Sequence, residues 1–398
     1  MKHRDVEKLA SVVSGVALVG WISIALAATL GVVPAAAAVA PHSCSPATST
    51  WQSEASHYRQ RFVTVAKDVK LEVLDWGGSG RPLVLLAGLG NTAHVFDDIA
   101  PELSHNFHVY GITRRGFGAS SVPDSGYTAD RLADDVVAVL DALKIERPII
   151  AGHSIAGEDL SAIGSSHPAR VAGLIYLDAA HGYAIYDPQR GFYLPDLRQL
   201  GAQVAHMHDD PLDEAQMEAL LNDATALQRS LKSELGGIKT DEASAAGAAA
   251  DEPGTAGMAS FAAFRCFVSK QLGGIMPEDE VRQTFAATAI GGVGKQKTPD
   301  FVYSAILEGE ARFRAPAVPI LAIVPIPRAS DLPVGNDPAK RLAADAMHTH
   351  MQAAEIETLQ RQLPSAEIVR IPHGHHYIFL SNKSDVASAI VAFGSRLR

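Results

Sequence analysis

The chain is short of charge, of cysteine and of basic runs. Of its 398 residues 20% are charged, against roughly 25% in an average soluble domain, so some apolar or small-residue stretch dilutes the charge. It holds two cysteines, Cys44 and Cys266. A chain this long with at most one internal bridge is no disulfide scaffold. Lys and Arg number 34 against 44 Asp and Glu, a formal net charge of −10. Without a basic run to release counterions from phosphate, no nucleic-acid partner is expected. A hydrophobic content of 47% excludes a disordered chain.

The dilution comes from two places. Lys2, His3, Arg4 and Lys8 open the chain, residues 9–33 carry no charge, and small residues follow from Pro34 to Ala40. A basic start, an apolar run and an Ala-x-Ala site near Ala38 are the pattern of a secretory signal peptide. Residues 1–40 are therefore expected to direct export. The run is also long enough to stay as a membrane anchor, and that alternative remains. The protein is expected to be secreted or periplasmic, and to meet a membrane only if the segment is retained. Cys44 follows no lipoprotein-like triplet and is not read as a lipid anchor; it could pair with Cys266 in an oxidising compartment. The second place is residues 236–257, rich in Ala and Gly, which offers few side chains to bury and reads as a loop.

After a polar linker at 41–57, residues 62–66 and 71–76 alternate in hydrophobicity and predict a hairpin. Residues 82–87 and 107–112 are short apolar runs, as strands buried on both faces are. Residues 128–143 place Leu132, Val136, Leu140 and Leu143 at helical spacing, with Thr128 as N-cap. Further strands are read at 148–151 and 171–177, with a helix at 155–166 between them. From 182 to about 314 the pattern is helical or irregular. Strand-like runs resume at 319–324 and 367–371, and 386–397 closes as a helix. Strands alternating with helices predict an α/β fold, a mostly parallel central sheet with helices on both faces. A largely helical cap is inserted between late strands. The expected units are a core at 58–181 and 316–398 and a cap at 182–315.

The most informative stretch is Ile149-Ile150-Ala151-Gly152-His153-Ser154-Ile155-Ala156-Gly157. A buried strand runs into a helix with a serine at the turn, flanked by residues small enough for a tight, crowded bend. Such a turn lifts the hydroxyl clear of the sheet and aims a helix N-terminus at charge developing on a bound substrate. A serine needs a base, itself oriented by an acid. Pro372-His373-Gly374-His375-His376-Tyr377, just after the last strand, offers the base. Zinc would need a further ligand at suitable spacing. His348 and His350, or His206, His208 and Asp209, sit in helical surroundings that look solvated, so no metal and no cofactor is expected.

From residue 62 to the C-terminus the chain resembles the α/β-hydrolase superfamily. Three stretches carry the likeness: Leu85-Leu86-Ala87-Gly88-Leu89-Gly90-Asn91, Thr113-Arg114-Arg115-Gly116-Phe117-Gly118-Ala119-Ser120-Ser121, and the Ser154 turn. The resemblance implies Ser154 as nucleophile. Counting back from Phe379-Leu380 and Val386, it favours His376 as base, with His375 one residue off register. Two acids compete: Asp178, ending the strand after the nucleophile helix, and Asp331, which comes about three residues late after the strand at 319–324. Asp178 is favoured. The oxyanion hole would be the backbone N–H groups of Leu89 and Ile155. Relatives often carry His where Ala87 stands, so support for that loop must come from elsewhere. Arg114 and Arg115 are expected to bond turn carbonyls.

The implied activity is hydrolysis of an ester or related acyl bond of a small-molecule substrate. Perhydrolase and carbon–carbon bond hydrolase chemistries use the same triad, and a non-catalytic ligand-binding member of the fold is the rival of another class. A serine at the turn argues against the carboxylate-nucleophile dehalogenases and epoxide hydrolases.

Overall fold

The computed structural model describes residues 58–180, 182–206, 213–248, 260–313, 316–326, 353 and 356–397. The export segment, the linker at 41–57, Cys44, Asp331, His348 and His350 lie outside the described residues.

Strands β1 (Arg59–Ala66) and β2 (Val69–Gly77) form the expected hairpin, with Asp68 at φ 60° in its turn. They lead into β3 (Pro82–Leu86), β4 (His108–Ile112), β5 (Ile149–His153), β6 (Gly173–Leu177), β9 (Ile320–Pro325) and β10 (Glu367–Ile371). One eight-stranded sheet results, in the order β1-β2-β4-β3-β5-β6-β9-β10. The β1/β2 and β2/β4 pairs are antiparallel, and every later pair is parallel.

Alternation along each strand divides the core into two layers. Val84, Leu86, Ile150, Leu174, Tyr176 and Ala322 face one layer, under α2 (Ala129–Leu143) and α3 (Ala156–Ser166). Leu83, Leu85, Ile149, Ile175, Leu177 and Ile323 face the other, where α1 (Ala100–Leu103), α9 (Ile378–Ser381) and α10 (Lys383–Arg396) lie. Strands β5 and β6 are buried along their whole length, so they read as unbroken apolar runs. Thr128 takes the N-cap position of α2, yet its side chain makes no capping hydrogen bond.

The chain leaves β3 toward β4 on one side, then returns past β3 to β5 and continues toward β6 on the other. The sheet therefore switches direction between β3 and β5. The crevice at the carboxyl ends of two such strands is where open α/β sheets hold ligands. The loop with Leu89 follows β3, and Ser154 follows β5.

Between β6 and β9 lie α4 (Tyr193–His206), α5 (Glu214–Ala248), α6 (Phe261–Gln271), α7 (Glu278–Thr284), an antiparallel pair β7 (Phe285–Ala287) and β8 (Val293–Gln296), and α8 (Asp300–Glu308). The segment is largely helical as expected, but the β7–β8 hairpin is not readable in the sequence. The expectation of a loop over residues 236–257 is corrected for residues 236–248. Helix α5 continues through Ala248, and alanine, the strongest helix former, supplies four of its last six residues. Residues 249–259 lie outside the described set. Cys266, buried in α6, takes part in a disulfide. No helix of the described residues is long and apolar enough to cross a membrane.

Candidate active site

Ser154 sits between β5 and α3 at φ 52°, a left-handed conformation that a non-glycine residue rarely adopts. Such strain costs about 1–3 kcal/mol and is held by surrounding structure. Here the Ser154 N–H donates to Leu177 O at 3.3 Å, and Gly157 N–H donates to Ser154 O at 2.9 Å. The small residues are needed on both sides. A Cβ on Gly152 would lie 3.0 Å from Ala156 O and 3.1 Å from Ala156 Cβ, so Ala156 is close to the size limit there. A Cβ on Gly157 would lie 2.0 Å from Ala179 O. Gly157→Ala must therefore push α3 off the loop after β6. We expect it to cost about 1–3 kcal/mol, as overpacking does, and to lower turnover with it. Denaturation midpoints and esterase rates check this; unchanged values for both would contradict the crowding.

Asp178 directly follows β6 at φ 43°, with its N–H donating to Ile323 O at 2.9 Å. Its Oδ2 lies 2.6 Å from His376 Nδ1, and the pair is largely buried. Of the two candidate histidines, His376 is thus the one joined to Asp178. The ring of His375 instead lies against the cap, where a Cβ on Gly273 would come within 2.2 Å of it. His376 also neighbours the Ser154 turn. Its carbonyl lies 3.0 Å from His153 Nε2, and the two rings are 4.5 Å apart. Asp331, the competing acid, lies outside the described residues.

The Leu89 loop packs directly on the serine: a Cβ on Gly88 would lie 3.1 Å from Ser154 Cβ and 2.9 Å from His153 Nδ1. Gly88 O accepts from Asn91 N–H at 3.3 Å, with Gly90 at φ 85° in the third position. That is the geometry of a tight turn requiring glycine there. Ile155 begins the helical run after Ser154 and is buried. The structure therefore gathers Ser154, Ile155, Leu89, Asp178 and His376 at the switch crevice.

Sequence reasoning missed the supports. Arg114 and Arg115 do not mainly bond turn carbonyls. Arg114 forms a buried ion pair with Asp159 of α3, and Arg115 grips Asp135 of α2 at 2.6 and 2.7 Å. A buried guanidinium needs a carboxylate more than a neutral carbonyl, and the partners lie too far along the chain to be seen from the motif. Asn91 and its donor Tyr377 were visible within quoted motifs, but the acceptor of the Asn91 amide, Glu280 on α7, carries no sequence signal at all.

Below the Leu89 loop lies a polar cluster. Glu72 on β2 is fully buried and accepts from Gln60 at 2.6 Å, Thr113 at 2.7 Å and Gln283 at 2.9 Å. Burial pushes its carboxyl up, but His94 and these donors together hold it down at about 2. His94 is desolvated, which lowers its pKa, yet Asp97 at 2.8 Å and Glu72 at 3.7 Å raise it to about 10. The signs are opposite. The His94 contribution to stability is full below its ordinary 6.5 and lost as pH rises through about 10; that of Glu72 is full above 4.5 and lost as pH falls through about 2. Urea titrations between pH 6 and 10 should show wild type losing on the order of 3 kcal/mol, with His94→Gln losing most of that slope. An equal slope in the variant would contradict the assignment.

Sheet order, switch crevice and serine turn define an α/β-hydrolase fold. The family described as alpha/beta hydrolase fold matches residues 81–256. A protein of Mycobacterium phage D29 named as a non-heme haloperoxidase is 36% identical over 111 residues, 28% of this chain and 40% of the relative. A 2-(acetamidomethylene)succinate hydrolase of Mesorhizobium japonicum is 27% identical over 122 residues, 31% of this chain and 43% of the relative. The chain thus spans less than half the length of these curated relatives. The crystal structure of an E-2-(acetamidomethylene)succinate hydrolase superposes with a TM-score of 0.51 at 17% identity, covering 85% of this chain and 99% of the other. That likeness shows the fold alone. The chain has the α/β-hydrolase fold, and 176 of its residues match the family of that description.

Proposed function

We propose that the protein is an exported serine hydrolase that cleaves an ester or related acyl bond of a small molecule. The observation that carries this reading is the 2.6 Å contact between His376 Nδ1 and Asp178 Oδ2, made beside the strained Ser154 turn. Ser154 Oγ attacks the acyl carbon while His376 takes its proton, and Asp178 holds the ring and stabilises the imidazolium. The N–H groups of Leu89 and Ile155 stabilise the oxyanion. His376 returns the proton to the leaving group, then activates water to release the acid and regenerate Ser154. Export rests on the basic, apolar and Ala-x-Ala pattern of residues 1–40.

The likeness to a protein named as a haloperoxidase favours one second reading, in which hydrogen peroxide replaces water as acceptor and releases a peracid. The test of the main reading is covalent labelling by a fluorophosphonate, with the mark located on Ser154 by mass spectrometry. A panel of p-nitrophenyl esters of increasing chain length then reads the acyl pocket, and peracid release from the same esters with added peroxide reads the alternative. Absence of labelling on Ser154 would overturn the serine hydrolase reading.

A further inference from the structure

One acid of the inserted segment is wholly buried and has no part in the triad. Glu280, in α7, is 2% exposed. Its Oε1 accepts from Asn91 Nδ2 at 2.9 Å, and its Oε2 from Thr92 Oγ1 at 2.5 Å. The Thr92 N–H reaches both oxygens at 3.1 Å, and Thr284 Oγ1 adds a bond at 3.3 Å. A buried carboxyl group is tolerated only where partners compensate its desolvation, and three of these four donor groups belong to two consecutive residues of one loop.

That loop matters. Asn91 closes the turn whose corner is Leu89 and Gly90, and Asn91 Oδ1 accepts from Tyr377 Oη at 2.9 Å, one residue beyond His376. Oε1 of Glu280 can only accept from Asn91, whether the group is ionised or carries its proton on Oε2. The Asn91 amide is therefore forced to turn its NH2 to the cap and its oxygen to Tyr377. We propose that Glu280 is a positioning residue: acting through Asn91, it holds the Leu89 turn and the His376 loop in a fixed mutual placement, the support that Ala87 does not supply. The cap is then a structural member of the oxyanion loop as well as a cover. This inference rests on the serine hydrolase reading.

The test uses the whole protein with p-nitrophenyl acetate, a small ester that reaches little of the acyl pocket, and active sites counted by fluorophosphonate titration. Glu280→Leu keeps bulk and removes every acceptor. It should lower kcat per titrated site about 10- to 100-fold, below the cost of deleting an oxyanion donor, with KM within about threefold. Glu280→Gln, which can keep an oxygen toward Asn91, should recover most of that loss. A merely structural glutamate would lower the titre and the melting temperature but leave kcat per site unchanged, and that result would overturn the proposal. If Glu280→Leu does not fold, Tyr377→Phe serves instead, and an unchanged per-site kcat there overturns it equally. Should wild type fail to label, the hydrolase reading falls on its own. Amide exchange at residues 89–92 then tests the clamp separately, with protection unaltered in Glu280→Leu and in Tyr377→Phe counting against it.

Discussion

Ser154→Ala is expected to lower turnover of p-nitrophenyl esters by about 10⁴- to 10⁶-fold and to abolish fluorophosphonate labelling. The size follows from the chemistry. In the proposed mechanism no acyl-enzyme forms without the hydroxyl, His376 and Asp178 have nothing to activate except water, and only the oxyanion donors and binding remain. The fold should be little affected, since the turn is held by backbone bonds from Ser154 N–H to Leu177 O and from Gly157 N–H to Ser154 O. Circular dichroism and melting temperature should match wild type within a few degrees, which makes the loss chemical. Residual turnover within tenfold of wild type would sink the assignment of Ser154 as nucleophile.

The second large effect is expected from Asp178→Asn. Asparagine tolerates positive φ as aspartate does, so the strand end at φ 43° should be preserved. What changes is the contact at His376 Nδ1, 2.6 Å from Asp178 Oδ2. An amide NH2 turned to that nitrogen demands the tautomer whose proton is on Nε2, leaving no base for Ser154. An amide oxygen turned to it keeps the tautomer but gives up stabilisation of the imidazolium. A kcat reduction on the order of 10³- to 10⁴-fold is expected, with KM changed far less. Asp331→Asn is the control, and it should retain activity. A collapse in Asp331→Asn with an intact Asp178→Asn would reverse the choice of acid.

How much of this was legible before the structure depends on distance along the chain. Strand β10 was read to the residue, because Glu367–Ile371 lies between turn signals and has a local pattern. Helix α2 was likewise read from its apolar spacing. The serine turn was visible because strand, small residues and helix are contiguous. The β7–β8 hairpin was not, since β7 has three residues and β8 four, too few to show a period. Helix α5 runs through Ala248 because alanine's helix propensity favours that backbone, which a reading from sparse apolar pattern alone does not weigh.

By itself, then, the sequence determined the α/β class, the turn that strains Ser154 and the candidates for its partners, since each is written in neighbouring residues through period, size and turn chemistry. Only the tertiary structure decided which candidates meet. His376 rather than His375 lies on Asp178, Arg114 and Arg115 choose carboxylates on helices, and Glu280 reaches across 188 residues to the loop that bears Leu89. Those pairings are fixed by the desolvation of polar groups within a packed interior, where each must find its partner in space, and spacing along the chain does not encode them.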